Sequence, residues 1–427
     1  MRKLFIHLFI ACLPVGLFAQ QLTLDECLSK AKANYPLVKQ YGLIEETGNY
    51  NLSNANKSYL PQLTLSAKAT YQSDVTSLPE SLAQTLEKMT GKTISSVSKD
   101  QYQAVVEANQ LIWDGGVIAS QKKLTQASTE VEKKKLDVDL YAINERVEQL
   151  YFGILLIDEQ LKQNAILKTE LQTNYKKVEA YKNNGIANQA DLDAIMVEIL
   201  NADQRDVELK ISRKSYLSVL GAFIGTKPAE NTELQKPMAD LSVLNNTANL
   251  RPELSLFDAQ NKLFDTQVSL QNAGNMPRLG AFVQGGVGRP GLNMFVNQFS
   301  PFYIGGLRLS WNISNFYTQK NNLNKIEVNR KASEVQRETF LFNTDLKTQQ
   351  QKADVEKLQA SIESDTKIIR LRTNIKSTTS SKLDNGTSSV TDLIRDLNSE
   401  NMAIQLKSLH EVQLLMCIYQ LKNNVNN

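Results

Sequence analysis

The stretch Leu63-Thr64-Leu65-Ser66-Ala67-Lys68-Ala69-Thr70-Tyr71-Gln72 decides the fold of this chain. Its odd-numbered positions are apolar and its even-numbered positions polar, which is the signature of a strand with one apolar and one polar face. About ten residues is also what a tilted strand needs to cross a bilayer, and apolar-out, polar-in alternation marks a membrane β-barrel. A half-buried sheet in a globular domain alternates in the same way. The flanking sequence separates the two readings.

Downstream, residues 73–99 are rich in Ser, Thr and Lys and read as an enlarged loop. Tyr102, Ala104, Val106 and Ala108 then alternate with Gln103, Val105, Glu107 and Asn109. This second strand has weaker contrast and completes a hairpin over 62–113. From Gly116 to Lys182 there is no proline, and Gly153 is the one internal glycine. Within it Leu136, Leu140, Ile143, Val147, Leu150, Ile154, Ile157 and Leu161 follow alternating spacings of four and three, a heptad seam. If continuous, that helix is about 100 Å long at 1.5 Å per residue, far too long for a globular domain. Asn184-Gly185 suits a left-handed cap and a reversal of the chain. A return helix starts near Asp191, whose charge suits a first helical turn, and runs from Leu192 to Phe223.

The whole unit occurs twice. Pro36 recurs as Pro252 and Pro61-x-Leu63 as Pro277-x-Leu279, at an offset of 216. Asn184-Gly185 with Asp191-Leu192 recurs as Asn385-Gly386 with Asp392-Leu393, at an offset of 201. The first copy therefore carries 15 extra residues, and 73–99 is the obvious place for them. In the second copy Leu279, Ala281, Val283 and Val287 share a face opposite Gln284, and Tyr303, Leu307, Leu309, Trp311 and Ile313 oppose Arg308, Ser310 and Asn312. That is a second hairpin over 278–313. Its long helix spans Gln319 to Lys382, with Val355, Leu358, Ile362, Ile369 and Ile375 on the seam; Asp365 and Arg372 interrupt it, so a wetter helix is expected. Residues 225–250, with Pro228, Pro237 and several Asn, read as the linker between a first repeat over 20–224 and a second over 251–427.

The start of the chain places it in the cell. Arg2 and Lys3 precede an apolar run from Leu4 to Leu13, broken by Pro14 and Gly16. Residues 1–19 therefore read as a secretory signal peptide cut after Ala19; Cys12 is an alternative lipidation site, with Phe9 a poor start for such a motif. No other run is long and apolar enough for a membrane helix. A net charge of +3 before cleavage supports no nucleic-acid partner. Cys27 and Cys417 stand at opposite ends of the chain and are not expected to pair. His410 is the one histidine outside the signal peptide and reads as a surface or packing residue, so His-based catalysis and zinc sites are excluded. Gly286-x-Gly288-x-x-Gly291 matches a dinucleotide fingerprint in letters, but Pro290 and the stretch Leu292 to Phe299 suggest a hairpin loop where that site needs a helix. Gly91-Lys92-Thr93 is the tail of a P-loop with Leu86 in place of its first glycine. No convergent acid, base, nucleophile or metal set remains, and no cofactor is expected.

Four membrane-length strands cannot close a barrel by themselves. Two chains would supply eight strands and three would supply twelve, and the larger ring leaves an open lumen that the long helices would continue as a tube. The alternative from another class is a periplasmic coiled-coil adaptor or scaffold, which would share the signal peptide and the helical hairpins.

Several segments, in their order and duplication, carry a family likeness. These are Leu22-Thr23-Leu24-Asp25-Glu26-Cys27-Leu28 with Asn34-Tyr35-Pro36, Leu111-Ile112-Trp113-Asp114-Gly115-Gly116, the two Gly-x5-Asp-Leu tips, and Leu250-Arg251-Pro252-Glu253-Leu254. With them the chain resembles the TolC-like outer-membrane efflux and secretion channels. The resemblance implies a mainly α protein with a minor transmembrane β part: a long α-helical barrel plus four strands per protomer of a shared twelve-stranded β-barrel. It also implies a homotrimer in outer-membrane lipid, docking at its periplasmic tip to an adaptor (membrane fusion) protein and an inner-membrane transporter, with no cofactor. The tip or gate would comprise Gly185, Asp191, Gly386, Asp392, Arg395 and Asp396. Relatives narrow the tip with lumen-facing acids in the second repeat; Asp392 matches the first such position, but Arg395 stands where a second acid often lies. A charge-compensated ring and weaker cation selectivity are therefore expected. Drug, peptide and protein cargoes are not distinguished, and without a Met or Cys cluster on the lumen nothing argues for soft-metal export.

Overall fold

A computed structural model of the chain describes residues 21–91, 97–245 and 248–426. The signal peptide, Cys12, Lys92 and Thr93 lie outside the described residues. The chain divides into two compact units, and each draws on both repeats.

One unit comprises residues 40–135 and 253–337. It holds strands β1 (Gln62–Tyr71), β2 (Asp100–Trp113), β3 (Arg278–Arg289) and β4 (Ser300–Ser310), which form one antiparallel sheet in the order β1-β2-β3-β4. The two hairpins thus join edge to edge through β2 and β3, with β1 and β4 as the outer strands. The register aligns the alternation of all four strands. Leu65 lies opposite Val106, Val106 opposite Gly285 and Gly285 opposite Tyr303, and the next apolar row is Leu63, Ala108, Val283 and Gly305. These side chains face outward, Leu65 at 77% exposure and Tyr303 at 83%. The opposite face carries Thr64, Glu107, Gln284 and Ile304 in one row, and Lys68, Gln103, Gly288 and Ser300 in another. One sheet is therefore apolar on one surface and mostly polar on the other.

Gly286 and Gly288, from the fingerprint-like motif, are strand residues, and no helix follows them. A Cβ at Gly286 would lie 2.3 Å from the backbone oxygen of Ala104, so the junction between the hairpins requires a glycine there. Gly286→Ala is expected to cost about 1–3 kcal/mol through overpacking, read as a lower unfolding midpoint of the strand signal in circular dichroism.

The stretch 73–99 is not loop throughout: it contains helix α3 (Glu80–Thr90), closed by Gly91 at φ +64. Its signals are Pro79 before it, Leu82, Leu86 and Met89 at helical spacing, and the terminal glycine. Asp114 ends β2 and starts the next helix by accepting from the N–H groups of Gly116 and Ile118, at 2.9 and 2.6 Å. The proline-free stretch beyond it is two helices, α4 (Val117–Tyr141) and α5 (Ile143–Asn183). Between them Ala142 keeps helical dihedrals, φ −61 and ψ −17. In this unit α2 (Gln40–Lys57) packs on α4 where Gly48 meets Thr129. In the same manner α7 (Pro252–Ala273) is tied to the first part of α8 (Asn315–Asp384), with Arg330 bound to Asp265 at 2.6 Å and Ser333 donating to Gln260 at 2.9 Å.

The other unit comprises residues 21–39, 136–252 and 338–426 of the described chain. It packs α1 (Leu24–Asn34), α5, α6 (Gln189–Ile224), the later part of α8 and α9 (Val390–Val425). The first-repeat seam is the core: Leu136, Leu140, Ile143, Val147, Ile154 and Ile157 are buried, and Leu150 and Leu161 half-buried. In the second repeat Val355 and Leu358 are buried while Ile375 is exposed. Asp365, however, is not a wet position. It is 5% exposed, with its Oδ2 2.6 Å from Nδ1 of the half-buried His410, so the seam is interrupted by a partly buried polar pair. Nor is the linker loose. Leu22 bridges to Leu234 in parallel, the Tyr151 hydroxyl lies 2.8 and 2.6 Å from the carbonyls of Leu22 and Gln235 and donates its one proton between them, and Arg213 donates to the carbonyl of Thr232 at 2.7 Å. Cys27 and Cys417 are separate buried thiols.

Candidate functional site

The two helical reversals are built from the same local parts. Gly185 has φ +76 and Gly386 φ +68, and a Cβ at either would meet nothing within 4 Å. The glycines serve the left-handed backbone rather than a tight fit. Around each, the hydrogen bonds close the preceding helix. Gly185 N–H reaches Lys182 O at 3.0 Å and Ile186 N–H reaches Tyr181 O at 2.8 Å; Gly386 and Thr387 repeat this on Leu383 and Lys382 at 3.0 and 2.8 Å. These bonds satisfy carbonyls that a helix end would otherwise leave unpaired.

The return helices start on matching capping boxes. Asp191 N–H donates to Asn188 Oδ1 at 3.1 Å, while the Asp191 carboxylate accepts from the Asn188 N–H at 3.0 Å. Asp392 N–H donates to Ser389 Oγ at 3.1 Å, and its carboxylate accepts from the Ser389 hydroxyl at 2.7 Å and N–H at 3.3 Å. Those hydrogen bonds, with Arg395 3.1 Å away, hold the Asp392 carboxyl below its ordinary range, so it stays ionised at every physiological pH. Asp396 has a different place: it is 6% exposed, accepts from Thr379 Oγ1 at 2.6 Å and lies 3.4 Å from Arg395. Arg395 thus lies between an exposed and a buried carboxylate.

Contacts that no sequence pattern announces join the two hairpins. Tyr181 donates to Asp384 Oδ1 at 2.7 Å, and Lys177 is ion-paired to the same carboxylate. Hydrogen bonds from Lys177 and Tyr181 lower the Asp384 pKa. A little further from the turns, Lys376 bridges Glu170 at 2.7 Å and Glu400 at 2.5 Å. Beneath lies an apolar cluster from both hairpins that includes Leu171, Val178, Ile195, Leu383, Leu393 and Leu397. Asp384 occupies the position just before Asn385-Gly386, where the first repeat has Asn183, so the only signal of this link is a difference between the copies.

No helix among the described residues is long and apolar enough to cross a membrane. The reversals supply left-handed turns, capped helix starts and fixed charge, and among the described residues no set of acids, His or Cys is grouped to hold a metal ion.

A protein family described as outer membrane efflux protein matches residues 27–226. Comparison with curated proteins gives no match. Among solved structures, the outer membrane protein VceC of Vibrio cholerae superposes with a TM-score of 0.66 at 11% identity, covering 95% of this chain and 96% of VceC. CusC, whose structures address folding and transmembrane channel formation, gives 0.67 at 14% identity, covering 94% and 91%. The open state of the MtrE outer membrane channel of Neisseria gonorrhoeae gives 0.63 at 14% identity, covering 95% and 89%.

Proposed function

We propose that the chain, whose residues 27–226 match the family described as outer membrane efflux protein, is the passive outer-membrane channel subunit of a tripartite efflux or type I secretion system. The observation that carries the proposal is the four-stranded sheet, apolar on one face and polar on the other, whose outer strands β1 and β4 have no further strand partner among the described residues. No sheet edge can face lipid, so copies of the chain must supply the missing neighbours. Three copies give twelve strands and an open lumen. The two reversals then form the periplasmic tip that meets an adaptor and an inner-membrane transporter. A periplasmic adaptor would have no use for such a sheet.

Fractionation tests the proposal. The protein is expected in the outer membrane, released only by detergent, and to form conducting pores when reconstituted. Recovery in the soluble periplasm without detergent would sink it.

Gly185, Asp191, Gly386, Asp392, Arg395 and Asp396 are proposed as the tip, with Asp392 as the exposed charge of the gate. Its pairing with Arg395 supports a compensated ring that contributes less cation preference than a doubly acidic tip would. Asp392→Ala is expected to shift ion selectivity away from cations in single-channel recordings and to loosen the start of α9, since the capping box is lost. Unchanged selectivity would leave Asp392 with a capping role alone.

A further inference from the structure

We propose that the polar face of the strands carries an anion site, so that the channel favours flat organic anions, aryl carboxylates and sulfonates, over cations. This rests on the channel reading, under which the polar face lines the lumen.

The register shows the charge imbalance. Among the paired positions, the polar face carries Lys68, Arg278 and Arg308 against one carboxylate, Glu107. Glu107 lies 3.5 Å from Arg308. Among the described residues Lys68 and Arg278 have no ion-pair partner. In an assembly of copies this excess would repeat around a lumen with low-dielectric walls, which focus the field of fixed charges.

The same face also provides a shaped site. Arg278 lies opposite Ser310, and Arg308 opposite Gly280, so the two arginines are diagonal neighbours on β3 and β4, a separation of about 7–8 Å between backbones that long side chains span easily. A cavity of about 310 Å³ lies here, lined by Arg278, Arg308, Phe282, Gln62, Asn109 and Ser310 among others. The Arg308 guanidinium sits 4.5 Å from the centroid of the Phe282 ring, and the ring edge packs against Gly306, where a Cβ would lie 3.3 Å from it. Two guanidinium forks match the oxygens of a carboxylate or sulfonate, while Phe282 offers an aromatic surface to a flat apolar body. Gln62, Asn109 and Ser310 supply neutral hydrogen bonds at the rim. A cation of the same shape would meet only repulsion from the arginines.

Planar-bilayer recordings on the full chain, purified in detergent, test this. Under a potassium chloride gradient the reversal potential is expected to show chloride preferred over potassium. 1-Naphthalenesulfonate is expected to block at a concentration about tenfold or more below that of 1-naphthylmethylammonium, the scale of one charge-assisted hydrogen-bonded contact. Arg278→Gln with Arg308→Gln is expected to remove that difference and move the reversal potential toward potassium. Arg278→Lys with Arg308→Lys is expected to keep the chloride preference but weaken sulfonate block several-fold, because the planar forks are lost. The tip is identical in all these proteins, so the changes report the strand site. A conducting wild type whose selectivity and block are unchanged in the glutamine variant would overturn the anion site alone. A wild type that forms no conducting pore would overturn the channel reading and this inference with it.

Discussion

Leu65→Arg will keep the protein out of the outer membrane, whereas Thr64→Arg, one residue away, will assemble. Leu65 lies in the middle of β1, in the row that continues through Val106, Gly285 and Tyr303 on the apolar face. An arginine on the lipid face of a barrel costs about 2–4 kcal/mol near the bilayer midplane, and in the proposed ring the cost falls on every copy. Thr64 faces the other way and lies directly opposite Glu107. An arginine there stays in water and gains a cross-strand partner of opposite charge. Outer-membrane fractionation and the heat-dependent gel mobility of the assembled barrel would both read the difference. Equal assembly of the two variants would mean that the faces have been assigned wrongly.

Glu148→Gln will remove a pH dependence of stability that the wild type carries. Glu148 lies on α5, is 3% exposed, and its Oε2 has no hydrogen-bond partner among the described residues. Burial, assisted by the charge of Glu145 and opposed by Lys347, pushes its pKa up to about 8 from an ordinary value of 4.5. The folded chain therefore holds a proton there that the unfolded chain releases. Stability from this group is complete below pH 4.5 and is lost as pH rises through 8, a total on the order of 5 kcal/mol at 1.36 kcal/mol per unit. Denaturant unfolding of the detergent-solubilised protein should show the wild type weakening between pH 5 and pH 8.5, and the glutamine variant holding level and exceeding it at the alkaline end. Parallel curves would show that the carboxyl finds a partner or water in solution. By contrast Asp384 and Asp392, held low by their hydrogen bonds, keep their contacts above the ordinary carboxylate range and lose them only in strong acid. The proposed tip should therefore not respond to pH between 5 and 8, which separates a core effect from an effect at the helical reversals.

Much of the architecture is legible in single segments. The alternation at Leu63–Tyr71 locates a strand whose two faces differ, because side chains on a strand point alternately to either side whatever lies beyond. The Asn-Gly pairs at 184–185 and 385–386 locate both reversals, because a left-handed cap is a property of its own few residues. The first-repeat heptad seam names core residues, buried except for the half-buried Leu150 and Leu161. Helix α3 escapes such a reading although its signals are local, because Ser, Thr and Lys around it outweigh three apolar residues at helical spacing.

Other features depend on segments far apart in the chain. That β2 pairs with β3, with Gly286 against Ala104, joins residues some 180 positions apart, and no periodicity in either strand encodes it. Asp365 breaks a pattern and so reads as wet; only α9, bringing His410 within 2.6 Å, makes it a partly buried polar pair. Tyr181 and Lys177 meet Asp384 across the repeats, and Glu148 acquires its high pKa mainly from burial, to which Glu145 on its own helix adds. By itself the sequence determined which faces are apolar, where the chain turns back, and that the unit is duplicated, since these depend on spacing along one backbone. The tertiary structure alone decided which duplicated parts join and which polar groups lose water, because pairing and desolvation depend on what the rest of the chain brings alongside.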